Sequence, residues 1–452
     1  MSDPKPIDGR EELAAARLGS LHIRLGALMA LLTFFDGYDT FNPAYVIHYV
    51  MRPWHLQPAQ AGLLVSSGLA GFLIGTLTHG PIADRFGRRG TLIGGLGIAG
   101  LFTLATPVLG NSFGAFCLLR VLTGLGLGVL LPLATTYINE LAPRRVANRF
   151  AIWGVGLGWA LGGTVAGLIG VFLTPAHCWR VLYWIGALSI PLALVLPLLL
   201  PESIQFLIAR GRTDDVRALL TRLRPERAML YRAAVFRQPD NAAAAGSVAV
   251  LLSARYRRTS LTIWLTAFLS LFCIFGLSGW VPTVMMRRGE SFGASFGFGA
   301  LLQIISFVGG LACGYVADRH GSNRAALAFW WTIGGAAVLF LFVSNSHLGN
   351  LIGIAAAGFF AMGPMFVLNN LTAQSYETGL RASAVGLELG IGRFGAILGP
   401  FVIGVLQQTF HGSGAVFIAI GCAALMAGAA ILLLGREQKP AAGFAVPPAL
   451  HG

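Results

Sequence analysis

Twelve stretches of this 452-residue chain are long and apolar enough to cross a lipid bilayer, and this constrains the fold more than any other feature. A helical span needs roughly 20 apolar residues. The candidates are 25–48, 60–82, 91–110, 113–138, 148–173, 180–200, 261–285, 295–317, 325–344, 348–372, 383–408 and 414–434. Inside hydrocarbon every backbone N–H and C=O must be paired internally, so only helices and closed barrels can span. These runs are too long and continuous for barrel strands. The expected fold class is therefore an all-α integral membrane protein with twelve transmembrane helices. Only 11% of residues are charged, against about 25% in a soluble domain, so most of the exterior must face lipid.

The net charge of +14 would suggest nucleic acid in a soluble protein, but its placement points elsewhere. With the N-terminus in the cytoplasm, the segments on that side carry 26 Lys and Arg and the opposite side carries four: Arg52, Arg180, Arg287 and Arg288. Such a bias places both termini in the cytoplasm. The predicted organisation is a cytoplasmic tail (1–24), six spans (25–200), a cytoplasmic central loop (201–260), six spans (261–434) and a cytoplasmic tail (435–452). Phe206, Leu207, Leu219 and Leu220 alternate with Arg in the central loop, predicting one or two short surface helices near anionic lipid. The five cysteines show no metal-ligand spacing. Nothing resembles a nucleotide-binding loop, a catalytic triad or a metalloprotease motif, so neither an enzyme nor a cofactor is expected.

One polar pattern occurs twice. Residues 80–89 read GPIADRFGRR and residues 314–324 read GYVADRHGSNR, an offset of 234. Gly156 and Gly158 match Gly390 and Gly392 at the same offset. Duplication of this kind is the mark of two related halves, here two pseudo-symmetric six-helix bundles. Glycines in spans 4, 5 and 11 are spaced for close helix contact.

Charges within spans are the strongest pointers to function, since burying one costs at least a few kcal/mol. The first span reads FFDGYDTFNPAY, with Asp36 and Asp39 about 60° apart on one helix face. Their mutual repulsion and apolar surroundings disfavour two negative charges, which suits taking up and releasing a proton. Gly37 and Pro43 are expected to weaken this helix locally, as in the broken helices of transporters. Arg120 lies roughly 11 Å from the outer end of span 4. It needs an anion: a substrate carboxylate, Asp36 or Asp39, or a permanent ion pair. Arg393, mid-span in helix 11, is the other candidate. Glu388 is about 140° away from it, so one should face the cavity and the other a helix contact, Arg393 being favoured for the cavity. Tyr38, Trp159, Asn369 and Gln303 are candidates to stack on or hydrogen-bond a substrate ring. Asp84, Arg85, Arg88, Glu140 and Arg144 in the first half, with Asp318, Arg319, Glu377 and Arg381 in the second, are expected to form ion pairs that close the cytoplasmic side.

These residues resemble the major facilitator superfamily. GPIADRFGRR is similar to its loop 2–3 signature, the 314–324 copy to its loop 8–9 counterpart, and RVLTGLGLG at 120–128 to its fourth-span motif. DGYD at 36–39, NELAPRRVANR at 139–149 and PESIQFLIARGR at 201–212 resemble the aromatic acid:proton symporter family within it. After DGYD the chain reads TFNPAYVIHYV, where many members have a Gly-rich stretch. The resemblance implies import of hydroxybenzoate-like acids with protons. It also implies that Asp36 and Asp39 matter for transport, Asp84 for the conformational change and Arg120 for the carboxylate.

The expectation is a proton-coupled importer of an organic anion working by alternating access in a bacterial inner membrane. Its expected partners are the small organic anion, protons and lipid, with no nucleic acid, and it should function as a monomer driven by the proton gradient. The alternatives are a symporter of a non-aromatic carboxylate, muconate- or dicarboxylate-like, and a proton-driven efflux antiporter.

Overall fold

The structure is a computed structural model that describes residues 7–143, 151–232, 234–237, 248–377, 379–410 and 412–434. The long helices run in the order α1 (Ser20–Val50), α2 (Pro58–Phe86), α3 (Arg88–Leu109), α4 (Phe113–Leu141), α5 (Ile152–Phe172) and α6 (Arg180–Leu199). The second half continues with α7 (Arg257–Arg287), α8 (Phe292–His320), α9 (Asn323–Val343), α10 (His347–Ser375), α11 (Arg381–Phe410) and α12 (Gly414–Leu432). Among the described residues, eleven helices are long and apolar enough to cross a membrane, and α1 is the twelfth expected span. At 31 residues α1 is long enough, but Asp36, Asp39 and Asn42 lower its apolarity. Every residue from Phe35 to Ile47 is buried, so this stretch meets protein rather than lipid and need not be apolar.

The duplicated turns have a backbone reason. Gly87 between α2 and α3 has φ 87° and Gly321 between α8 and α9 has φ 66°, a region that side chains disfavour. Despite the weakening expected at Gly37 and Pro43, α1 runs through both without interruption. Gly37 instead admits the Trp159 carbonyl of α5, whose oxygen would lie 2.1 Å from an added Cβ. The same close approach joins α2 to α4, where a Cβ on Gly71 would lie 1.9 Å from the Val121 oxygen.

On the face carrying Val50 and Pro58 the two halves are in backbone contact. A Cβ on Gly62 would sit 2.3 Å from the Pro400 oxygen, and one on Gly404 would sit 2.4 Å from the Pro58 oxygen. Ser66 donates across the same seam to the Ile397 carbonyl at 2.6 Å.

The segment after α6 carries the expected short helices, with part of their apolar surface packed against protein. It forms helices at Ile204–Ala209, Thr213–Leu223 and Ala228–Arg232. Their apolar faces (Leu207, Val216, Leu220) share one buried cluster with Leu133 and Tyr137 of α4. Their burial against α4 removes this apolar surface from water and so stabilises the docked arrangement. The N-terminal segment is tied to these helices too: Glu12 accepts from Arg224 at 2.8 Å, Arg227 at 2.5 Å and the Tyr231 hydroxyl at 2.7 Å.

Candidate substrate cavity and its charged surroundings

A cavity of about 110 Å³ lies between the two halves, lined from one side by Leu131, Gly156 and Trp159. The other side supplies Phe275, Phe307, Met365, Phe366, Asn369 and Arg393. Phe41 lies edge-on to Trp159 (4.8 Å between centroids) and stacked on Phe275 (6.0 Å), forming an aromatic cap towards the sealed face. Trp159 Nε1, Asn369 Oδ1 and Arg393 Nε are buried without a hydrogen-bond partner. Buried polar groups are nearly always paired, so three unpaired ones around a cavity mark a place where a ligand completes the bonding.

Arg393 rests on the Phe72 ring of α2, its guanidinium carbon 4.1 Å from the centroid. It also interacts through charge with Asp36. Asp36 is fully buried; Thr40 donates to its Oδ1 at 3.5 Å and its Oδ2 has no partner. Arg393 and Asp36 belong to opposite halves, and Arg393 alone of the two lines the cavity. Glu388 is completely buried and is not among the residues lining the cavity.

Four candidates lie elsewhere. Arg120 does not line the cavity. It is 2% exposed and donates from Nη2 to the Asp39 carbonyl at 2.7 Å, packed against Gly68 and near the Tyr183 ring. Gly68 leaves just enough room for the guanidinium to lie inside the first bundle. Tyr38 is buried in that bundle and donates to the Leu182 carbonyl at 2.9 Å. Gln303 donates to Ser278 at 3.1 Å and packs on Gly163, outside the cavity lining. Asp39 is held by Thr103 at 2.9 Å and Asn42 at 3.3 Å and is likewise remote from the lining.

At the opposite face, Arg88 bridges Asp84 at 3.1 Å and Glu140 at 3.6 Å. Ser203 donates to Glu140, while Glu202 accepts from the backbone N–H of Arg89 at 3.1 Å. The PESIQ motif therefore locks onto the first turn of α3. The carbonyl of Arg85 accepts from Arg210 at 2.7 Å. In the second half Arg255 pairs with Glu377 at 2.7 Å, and Arg381 donates to the Tyr376 carbonyl at 3.2 Å. Asp318 and Arg319 are exposed, Arg319 donating to the Tyr315 hydroxyl at 3.4 Å. These ion pairs stay within one half rather than bridging the two. Arg144 lies outside the described residues.

The family model of the Major Facilitator Superfamily matches residues 27–387. This chain belongs to that superfamily. Its fold agrees with that of a solved facilitator, the xylose transporter XylE from E. coli in a partially occluded inward-open conformation. The TM-score is 0.71 at 18% identity, covering 94% of this chain and 100% of the other. Among characterised facilitators it is 35% identical to the 4-hydroxybenzoate transporter PcaK of Pseudomonas putida, over 88% of this chain and 89% of that one. It is 33% identical to the gallate transporter of the same organism, over 98% of both. It is a multi-pass membrane transport protein, not an enzyme.

Sequence reasoning overlooked several groups of this facilitator: Phe72 beneath Arg393, Phe307 and Phe366 in the cavity wall, and Thr103 on Asp39. The 234-residue offset extends to the cavity wall. It pairs Leu131 with Met365 and Trp159 with Arg393, and all four line the cavity. It also pairs Arg89 with Asn323 and Glu140 with Gln374. Asn323 donates to Gln374 at 3.0 Å, whereas in the first half Glu140 pairs with Arg88, the neighbour of the position equivalent to Asn323.

Proposed function

We propose that this facilitator carries an aromatic carboxylate, of the hydroxybenzoate class, across a bacterial inner membrane together with protons, by alternating access. The observation that supports it most is the set of unpaired buried polar atoms on Trp159, Asn369 and Arg393 around an otherwise aromatic cavity. A carboxylate fits the planar fork of Arg393. The ring fits among Trp159, Phe275, Phe307 and Phe366, and a ring hydroxyl reaches Asn369. Relatives named for 4-hydroxybenzoate and gallate support the same class.

Coupling follows from competition for Arg393. With the cavity empty, Asp36 is the carboxylate closest in charge to Arg393; an incoming anion takes over that role, and a proton on Asp36 removes the repulsion between the two acids. Proton uptake also offsets the membrane potential, which opposes a monoanion by about 2.3 kcal/mol per 100 mV. In this reading Asp39 and Arg120 act as one rigid unit that holds α1, α3 and α4 together. The face rich in Arg is cytoplasmic, the sealed face carrying Val50 and Pro58 is outward, and import is the direction. The chain acts as a monomer.

The test is uptake of labelled 4-hydroxybenzoate and of muconate by proteoliposomes, with and without an imposed inward proton gradient. Accumulation of the aromatic acid only with the gradient is expected. Accumulation of muconate alone, or gradient-driven export, would overturn the reading.

A further inference from the structure

We propose that the hollow on the outer face, between His48 and Arg287, is a capture site for organic carboxylates, which the anion occupies before the outer seam opens. This rests on the outward orientation and substrate class proposed above.

The hollow has a volume of about 1030 Å³ and is lined by His48, Arg52, His55 and Arg287 with no acidic residue. It straddles the seam: His48 and Arg52 belong to the first half, Thr283 and Arg287 to the second. Cations are scarce on this face, where four arginines stand against 26 basic residues on the other. Two of the four lie in this one hollow. The remaining two are occupied: Arg180 donates to the Pro107 carbonyl at 2.9 Å and to Asn111 at 2.8 Å, and Arg288 donates to the Leu341 and Ser344 carbonyls. Arg287 meets only neutral groups, Gln407 at 2.8 Å and the Met51 sulfur at 3.4 Å. Glu290, the single carboxylate in the outer loops, accepts from Asn350 at 2.6 Å and contacts His347 at 2.7 Å, away from the hollow.

Uncompensated cations in a concave site raise the local concentration of anions and speed their arrival. Because the charges lie on both halves, they repel across the seam, and a carboxylate held between them is released inward as the seam parts. The chemistry recognised is a single carboxylate with an apolar body, since Leu56 and Met286 supply apolar wall.

Two measurements decide it, both in phosphatidylcholine vesicles so that no anionic headgroup competes. In a Cys178→Ser background, a cysteine is placed by Gln57→Cys, an exposed position in the hollow. An anionic sulfonate thiol reagent should react about tenfold faster than its cationic ammonium counterpart. Benzoate should slow that reaction, benzamide should not, and Arg52→Gln with Arg287→Gln should erase the charge preference. Equal rates for the two reagents, or no protection by benzoate, overturn the proposal. In uptake, the double variant should raise KM about tenfold with kcat unchanged and flatten the fall of rate with salt. An unchanged KM and salt dependence overturn the proposal as well. If the unsubstituted protein takes up no aromatic acid, the proposed function fails, while the labelling experiment still decides the capture site.

Discussion

Trp159 and Arg393 stand 234 positions apart, the offset of the duplicated turns, and face the same cavity from opposite halves. A gene duplication thus supplied two equivalent positions, and they have diverged into an aromatic wall and a cation. Under the proposed function, this asymmetry would give a planar anion one defined orientation.

Arg393→Lys keeps the charge but loses the fork. Losing one charge-assisted hydrogen bond costs about 2–3 kcal/mol, so apparent affinity for the aromatic acid should fall roughly 30- to 150-fold. Equilibrium binding to the detergent-solubilised protein measures this; an affinity within threefold of the parent protein would remove Arg393 from the site.

Asp36→Asn should abolish gradient-driven accumulation while leaving exchange of labelled for unlabelled substrate, because the amide cannot cycle a proton yet still fills the space beside Thr40. Accumulation at the normal level by this variant would place coupling elsewhere.

Arg120→Ala should lower stability by about 3 kcal/mol, since it removes a buried charge that anchors the Asp39 carbonyl. A large fall in melting temperature is expected. An unaltered melting temperature with a raised KM would instead return Arg120 to the substrate.

Gly71→Ala and Gly62→Ala separate fold from cycle. The first adds a methyl within one half, 1.9 Å from the Val121 oxygen, and should depress melting strongly. The second adds it at the seam, 2.3 Å from the Pro400 oxygen, and disfavours only the outward-sealed state. Its melting temperature should change less and its transport rate more, as read by thermal scans and exchange assays.

Glu290, between α7 and α8, gives a pH dependence. Burial pushes its carboxyl up, but hydrogen bonds from Asn350 and His347 and the charge of Arg288 outweigh it and hold the carboxyl below the ordinary value of 4.5. Its ionised form is therefore favoured by folding, and the contribution is full above pH 4.5 and lost as pH falls below it. The melting-temperature gap between the parent protein and Glu290→Gln should be present at pH 7 and shrink below pH 4.5. A gap independent of pH would refute this.

The sequence by itself determined the membrane-spanning helices and the two-half architecture. Apolar length is dictated by bilayer thickness, and repetition survives in glycines such as Gly87 and Gly321, whose backbone angles few other residues adopt. It also marked Arg393, Trp159 and Asn369, because a polar group in a span needs a partner. Only the tertiary structure decided that Arg120 turns inward to the Asp39 carbonyl while Arg393 turns to the cavity. Both are arginines in mid-span; which one meets open space depends on the rotation of each helix against its neighbours. That rotation is set by contacts such as Gly71 on Val121 and Gly37 on Trp159, between residues far apart in the chain. The short helices after α6 were legible as amphipathic, but that protein covers the faces carrying Leu207, Val216 and Leu220 is settled only by what lies beside them in space.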